Sequence, residues 1–235
     1  MNRLTEVVKN LLIINVIFFL GQLILQQHID TSMGYLHFPL GEGFMPLQLI
    51  TSMFMHADFG HLFFNMISLF FLGPMVEQTL GPKRFLVLYL TAGLVGSLAH
   101  VGIDYIQYVQ MSGQIEAEML AQIKSEGYEI INQGKNYTDP LYANFNLTLN
   151  GRSLGASGAV YGVVIAFVTM FPKMKLMVFP LPIPIPAAIV GIFMVGYGVV
   201  SGIGQLQPNI AHFAHLGGAL VGFLMVHYWK MANLR

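Results

Sequence analysis

Ser157 lies in Gly155-Ala156-Ser157-Gly158, at the head of an apolar run from Ala159 to Phe171. A hydroxyl whose flanks carry no bulk can be reached by a scissile carbonyl, which is what a serine nucleophile needs. The same small residues also suit close packing of two membrane helices. A nucleophile requires a base, and the chain has eight histidines. His28 and His37 fall in an early loop, while His100 and His227 sit within spans and read as packing or interface residues. His56, His61, His212 and His215 are left. Gly218 and Gly222 follow His215 at i+3 and i+7, so all three share one helix face. A glycine face permits close contact with another helix, and contact with the serine's helix would bring His215 beside Ser157. His212, three residues earlier, is the rival base. Tyr161, one turn after Ser157, is placed to hold the imidazole; the alternative is a core tyrosine bonded to a carbonyl.

Acyl transfer also needs donors aimed at the developing oxyanion. His61 and Asn65, four apart, share a helix face, and Ser68 continues the stripe. A ring N–H from His61, an amide N–H from Asn65 and the backbone N–H of Ser157 could converge on one point. No carboxylate is placed to complete a triad. Asp58 and Asp104 lie outside the small-residue core, and Glu77 suits a helix junction at the far end of its span. The pattern is therefore a Ser157–His215 dyad. His56, His61, His212 and His215 could instead hold zinc, but no carboxylate base stands beside them and HExxH is absent. With no cysteine, disulfides, thiol catalysis and thiolate metal sites are excluded. The expected chemistry needs no metal or cofactor.

The elements that must position these groups are membrane helices. Of 235 residues, 9% are charged and 55% hydrophobic, and mean hydropathy is +0.64. Too little charge is present to clothe a soluble surface. With 11 basic and 11 acidic residues, nothing suggests nucleic acid. One domain over residues 1–235 is expected: an all-α bundle with spans at about 10–26, 61–78, 85–105, 154–171, 187–202 and 209–229. Residues 106–150 hold most of the polar side chains and read as an extracytoplasmic insertion. Within it a short helix is expected over 114–124, with loop elsewhere because of Gly127, Gly134 and Pro140. It carries two Asn-x-Thr tripeptides, at Asn136 and Asn146. Phe179 to Pro186 alternates proline with apolar residues and should be extended.

Arg3, Lys9, Lys83, Arg84, Lys173, Lys175, Lys230 and Arg235 share one side of a six-span plan; Lys124, Lys135 and Arg152 take the other. Both termini are thus expected in the cytoplasm. The fourth span reaches roughly 26 Å against a hydrocarbon core of ~30 Å, which sets Ser157 below the extracytoplasmic surface. The compact plan, without a transit-peptide pattern, points to a bacterial inner membrane.

These motifs together resemble the rhomboid intramembrane serine proteases. The resemblance covers about residues 50–230 and rests on three segments. They are His56-x4-His61-x3-Asn65, Gly155-Ala156-Ser157-Gly158 with Tyr161, and Ala214-His215-Leu216-Gly217-Gly218-x3-Gly222. It implies a six-helix bundle, a Ser157–His215 dyad, and His61 and Asn65 in the oxyanion hole. It also implies cleavage of transmembrane protein substrates near their extracytoplasmic end, within the lipid bilayer, with small residues favoured at the cut. Two departures stand out. The family often has Trp-Arg in the first loop, where this chain has Pro46-Leu47-Gln48-Leu49, and the 106–150 insertion is longer than in the minimal bacterial form. Two other readings are a rhomboid-like protein that grips membrane helices without cutting and a transporter. The serine and histidine argue against the first, and the lack of internal repeats against the second. Nothing in the pattern specifies an oligomer.

Overall fold

The computed structural model describes residues 4–26, 31–177, 183–204 and 211–232. The expectations for His28 and for residues 179–182 and 209–210 fall outside them.

Helix α1 (Glu6–Leu25) begins at Thr5, whose own side chain does not cap it. The cap comes from Glu77, far along the chain. Its carboxylate accepts from Thr5 Oγ1 at 2.5 Å and from the N–H groups of Val7 and Val8 at 3.1 and 2.9 Å. A carboxylate there satisfies orphan donors and meets the positive end of the helix dipole. After a short strand β1 (Leu36–His37) and one turn of helix α2 (Gln48–Thr51) comes α3 (Phe59–Leu80). Asp58 caps α3 by accepting from the N–H of His61 at 2.8 Å. Gly81, at φ +81°, breaks the chain direction. Pro82 then opens the 31-residue α4 (Pro82–Ser112), where its missing N–H costs nothing.

The insertion differs from expectation. It folds into two helices, α5 (Ala117–Asn132) and α6 (Pro140–Asn150). Gly127 is not a loop residue but a helix contact. A side chain there would collide with Asn146, whose amide donates to the Gly127 carbonyl at 3.3 Å. Pro140 opens α6 behind Asp139, which accepts from the N–H groups of Leu141 and Tyr142. Only Gly134, at φ +69°, acts as a turn. Ile123, Phe145 and Leu149 form a small core closed by Phe38 from the first loop. Asn146 is fully buried, so its tripeptide is no surface acceptor.

Strand β2 (Arg152–Ser153) pairs antiparallel with β1, Leu36 facing Ser153, and leads into α7 (Ser157–Met170). A hairpin follows, β3 (Lys175–Met177) against β4 (Pro184–Pro186). The chain continues through α8 (Ala187–Ile203) and α9 (His212–Ala232). Apolar around most of its circumference, α7 sits centrally against α3, α4, α8 and α9. Its Val163, Ala166 and Phe167 join Leu88 and Ala92 of α4 in the main core. Ile24, Phe71 and Ile192 are among many large apolar side chains left on the outside, as a lipid-facing surface requires. Among the described residues, α1, α3 and α4 are long and apolar enough to cross a membrane; α7 and α8 are apolar but shorter.

Candidate active site

Ser157 is the first residue of α7, so its N–H belongs to the helix-terminal donors that lack an intrahelical acceptor. Its Oγ lies 2.7 Å from Nε2 of His215 on α9. Two glycines make this approach possible. A Cβ at Gly218 would collide with the Gly158 carbonyl, and one at Gly222 with the Gly162 carbonyl, one turn on. The helices therefore meet backbone to backbone. The Tyr161 ring stacks on that of His215, centroids 4.3 Å apart and planes within 7°. This contact fixes the imidazole plane.

Gly155 takes φ +126°, a region side-chain-bearing residues avoid. A Cβ there would lie 2.6 Å from the His61 ring. The bare backbone is thus what lets His61 close over the approach to Ser157. The N–H of Gly155 donates to the Ser52 carbonyl at 2.8 Å, tying this loop to the segment before α3. His61 Nδ1 accepts from the N–H of Ala57 at 3.4 Å, which puts the ring proton on Nε2, on the Gly155 side. Asn65 donates to the His61 carbonyl at 2.9 Å and keeps its second amide proton for another acceptor. His61, Asn65, Tyr161, Ser157 and His215 all line one cavity of about 830 Å³. Beside Ser157, a second pocket of about 20 Å³ is bordered by Ser52, Ser97 and Ser153. That is room for a single water.

His56 does not reach the cavity. Its ring stands edge-on to His61, centroids 5.2 Å apart, and is fully buried. Neither ring nitrogen has a hydrogen-bond partner among the described residues. Burial first, and the neighbouring His61 second, push its pKa down to about 4, so the ring is neutral. His212 packs edge-on to His215 at 6.3 Å and against Tyr197, and the serine contact belongs to His215.

Several polar residues of the site region escaped the sequence reading. Gln22 of α1 pins the His56 backbone from both sides, donating to its carbonyl at 2.9 Å and accepting from its N–H at 3.4 Å. Gln48 stands where the first-loop motif departs from the family pattern. Buried, it donates to the carbonyls of Gly43 and Met33 at 2.7 and 3.2 Å and accepts from the N–H of His37 at 3.2 Å. Polar residues inside apolar stretches were the signal for both. His100, read as a packing or interface residue, and Asp58 and Asp104, read as outside the small-residue core, all line the main cavity.

The rhomboid domain model matches residues 44–231 of this chain. RHOMBOID-like protein 12, mitochondrial, of Arabidopsis thaliana is 34% identical over 74% of the chain and 43% of its own length. Rhomboid protein 1, mitochondrial, of Saccharomyces cerevisiae is 27% identical over 79% of the chain and 42% of its own length. Rhomboid protease AarA of Providencia stuartii is 26% identical over 78% of the chain and 58% of its own length. The chain thus spans about half the length of the curated relatives it matches. The first two are mitochondrial by name, and they lend no support to the expected bacterial inner membrane. With its mostly helical, lipid-facing architecture, this chain is an integral membrane protein of the rhomboid family.

Proposed function

We propose that the protein is an intramembrane serine endopeptidase that cuts transmembrane segments of other membrane proteins near their extracytoplasmic face. The observation that carries this reading is the 2.7 Å contact between Ser157 Oγ and His215 Nε2 at the wall of a cavity. The bundle has six spans with both termini cytoplasmic, as the lysine and arginine asymmetry favours. A substrate helix enters between α3 and α8, whose Phe64 and Met194 both line the cavity, and unwinds so that a carbonyl is exposed. Ser157 Oγ forms a bond to that carbonyl carbon while its proton passes to His215 Nε2, which requires the imidazole proton on Nδ1. His61 Nε2–H, the free amide N–H of Asn65 and the Ser157 N–H hold the oxyanion. Collapse breaks the C–N bond, and His215 returns the proton to the leaving amine. Water, activated by the same imidazole, then hydrolyses the acyl-enzyme. The cycle closes with these side chains alone.

A serine-reactive fluorophosphonate tests this reading on the purified protein in detergent, beside Ser157→Ala and His215→Ala. The native protein labels and both variants do not. A native protein that fails to label, or a Ser157→Ala protein that labels equally, sinks the protease reading. Binding of a transmembrane peptide without labelling would instead favour the non-cutting, helix-gripping protein. Separating inner-membrane from organellar fractions of the source cell decides the compartment.

A further inference from the structure

The end of the bundle opposite Ser157 carries charge that the proposed chemistry does not use. Helix α7 ends there at Met170, and Lys230 of α9 donates to the Thr169 carbonyl at 3.4 Å. Arg84, in the first turn of α4, lies over the Trp229 ring, 5.7 Å from its centroid. A tryptophan and cations at one level mark the boundary between hydrocarbon and headgroups. The β3–β4 hairpin joins α7 to α8 at this level. Its root is fixed: the N–H of Ala187 donates to the Met174 carbonyl at 2.7 Å and that of Ala188 to the Pro172 carbonyl at 3.0 Å. Leu176 turns inward and packs on the main core. Strand alternation then sends Lys175 and Met177 to the opposite face, across from Pro186 and Pro184 of β4.

The hairpin combines cations with exposed apolar side chains. Met177 is 77% and Ile183 62% exposed. Lys173 and Lys175 are exposed as well, and neither has an ion pair or hydrogen bond among the described residues. Carboxylates at this end do not offset them. Glu77 is buried as the cap of α1, and Glu6 has Lys9 three residues on. The apolar surface continues into the lipid-facing side of α8, where Ile189, Ile192 and Phe193 are exposed. A further strand is a poor partner for β4. The Ala187 N–H points inward to Met174, so alternation sets Pro184 and Pro186, which have no N–H, on the outer edge. A phospholipid leaflet meets both features: acyl chains cover the apolar side chains while phosphates pair with the lysines.

We infer that the β3–β4 hairpin is a membrane-surface anchor: Met177 and Ile183 seat in the leaflet at this end of the bundle, and Lys173 and Lys175 bind the phosphates of anionic phospholipids there. The inference needs only the membrane character of the chain and is independent of the protease reading. Because the chain has no cysteine, Met177→Cys gives the full-length protein a single attachment point for a fluorophore. The labelled protein is placed in nanodiscs of phosphatidylcholine, with or without phosphatidylglycerol. Acrylamide quenches the label from water, and nitroxide-bearing lipid quenches it from the leaflet. Phosphatidylglycerol shifts the balance toward lipid quenching by about fivefold per lysine. Lys173→Gln with Lys175→Gln abolishes the shift, whereas Lys173→Arg with Lys175→Arg retains it. Each variant is compared between the two lipids, so the fluorophore's own affinity for lipid cancels. Should the glutamine variant fold poorly, high salt with the native lysines repeats the test, since screening removes the same attraction. A label equally open to acrylamide in both lipids, or a shift that survives loss of both lysines, overturns the inference. So does a label shielded from acrylamide yet untouched by lipid-borne nitroxide, the result expected if a second copy of the chain covers the hairpin.

Discussion

At the residue scale, the site depends on one bare backbone position and one buried ring. Gly155→Ala adds a methyl at φ +126° and drives it into the His61 ring. We expect a loss of about 1–3 kcal/mol in stability. Ser157 labelling should slow as well, and thermal unfolding followed beside probe kinetics separates the two effects. His56 supplies a pH dependence. Its folded pKa of about 4 lies below the ordinary 6.5 because burial, with His61, disfavours the charged ring, while the Phe54 backbone and then Asp58 oppose. The folded state therefore binds fewer protons than the unfolded chain between these values. The stabilisation is complete above pH 6.5 and declines as pH falls toward 4, by roughly 2–4 kcal/mol over that window. Unfolding of His56→Gln compared with native protein across pH 4–7 checks this, and a native slope retained in the variant would contradict it.

At the element scale, two contacts hold helices in register. The α7–α9 seam has no room for a side chain at Gly222, so Gly222→Ala must separate the helices. Overpacking of this kind costs about 1–3 kcal/mol, and here it also lengthens the Ser157–His215 contact. Unfolding midpoint and probe labelling should fall together. By contrast, Glu77 lies at the opposite end of α3 from His61. Glu77→Ala removes the cap of α1 and should cost roughly 1–2 kcal/mol, with Glu77→Gln intermediate because it keeps an acceptor but not the charge. Its effect should appear in stability and not in the labelling rate of protein that remains folded.

At the scale of the whole molecule, the insertion is bound to the site. Helix α5 holds Arg152 through Asn132 and Tyr128, and β2 pairs with the first loop two residues before Gly155. Ile123 is the fully buried centre of the insertion core. Ile123→Ala opens a cavity worth about 2–5 kcal/mol. We expect faster proteolysis within residues 113–150 together with slower Ser157 labelling, since the strand that leads into Ser157 loses its brace. Rapid proteolysis with unchanged labelling would show the insertion to be independent of the site.

What the sequence by itself determined follows from short-range geometry. His61 and Asn65 share a face because they are four apart on a helix, and the glycines at i+3 and i+7 from His215 mark a face of α9 that can approach another backbone. Membrane character follows from a composition that cannot clothe a soluble surface. The rest depended on partners distant in the chain. Gly127 and Pro140 look like loop signals alone. They became a helix contact and a helix start once Asn146 and Asp139 were placed beside them. Gln48 and Gln22 acquired meaning only from the backbone groups they grip. Asp104 faces the cavity because the packing of Gly96 on Ala214 and Gly158 sets the rotation of α4. Local spacing specifies which side chains share a face. Only tertiary packing decides what that face looks into.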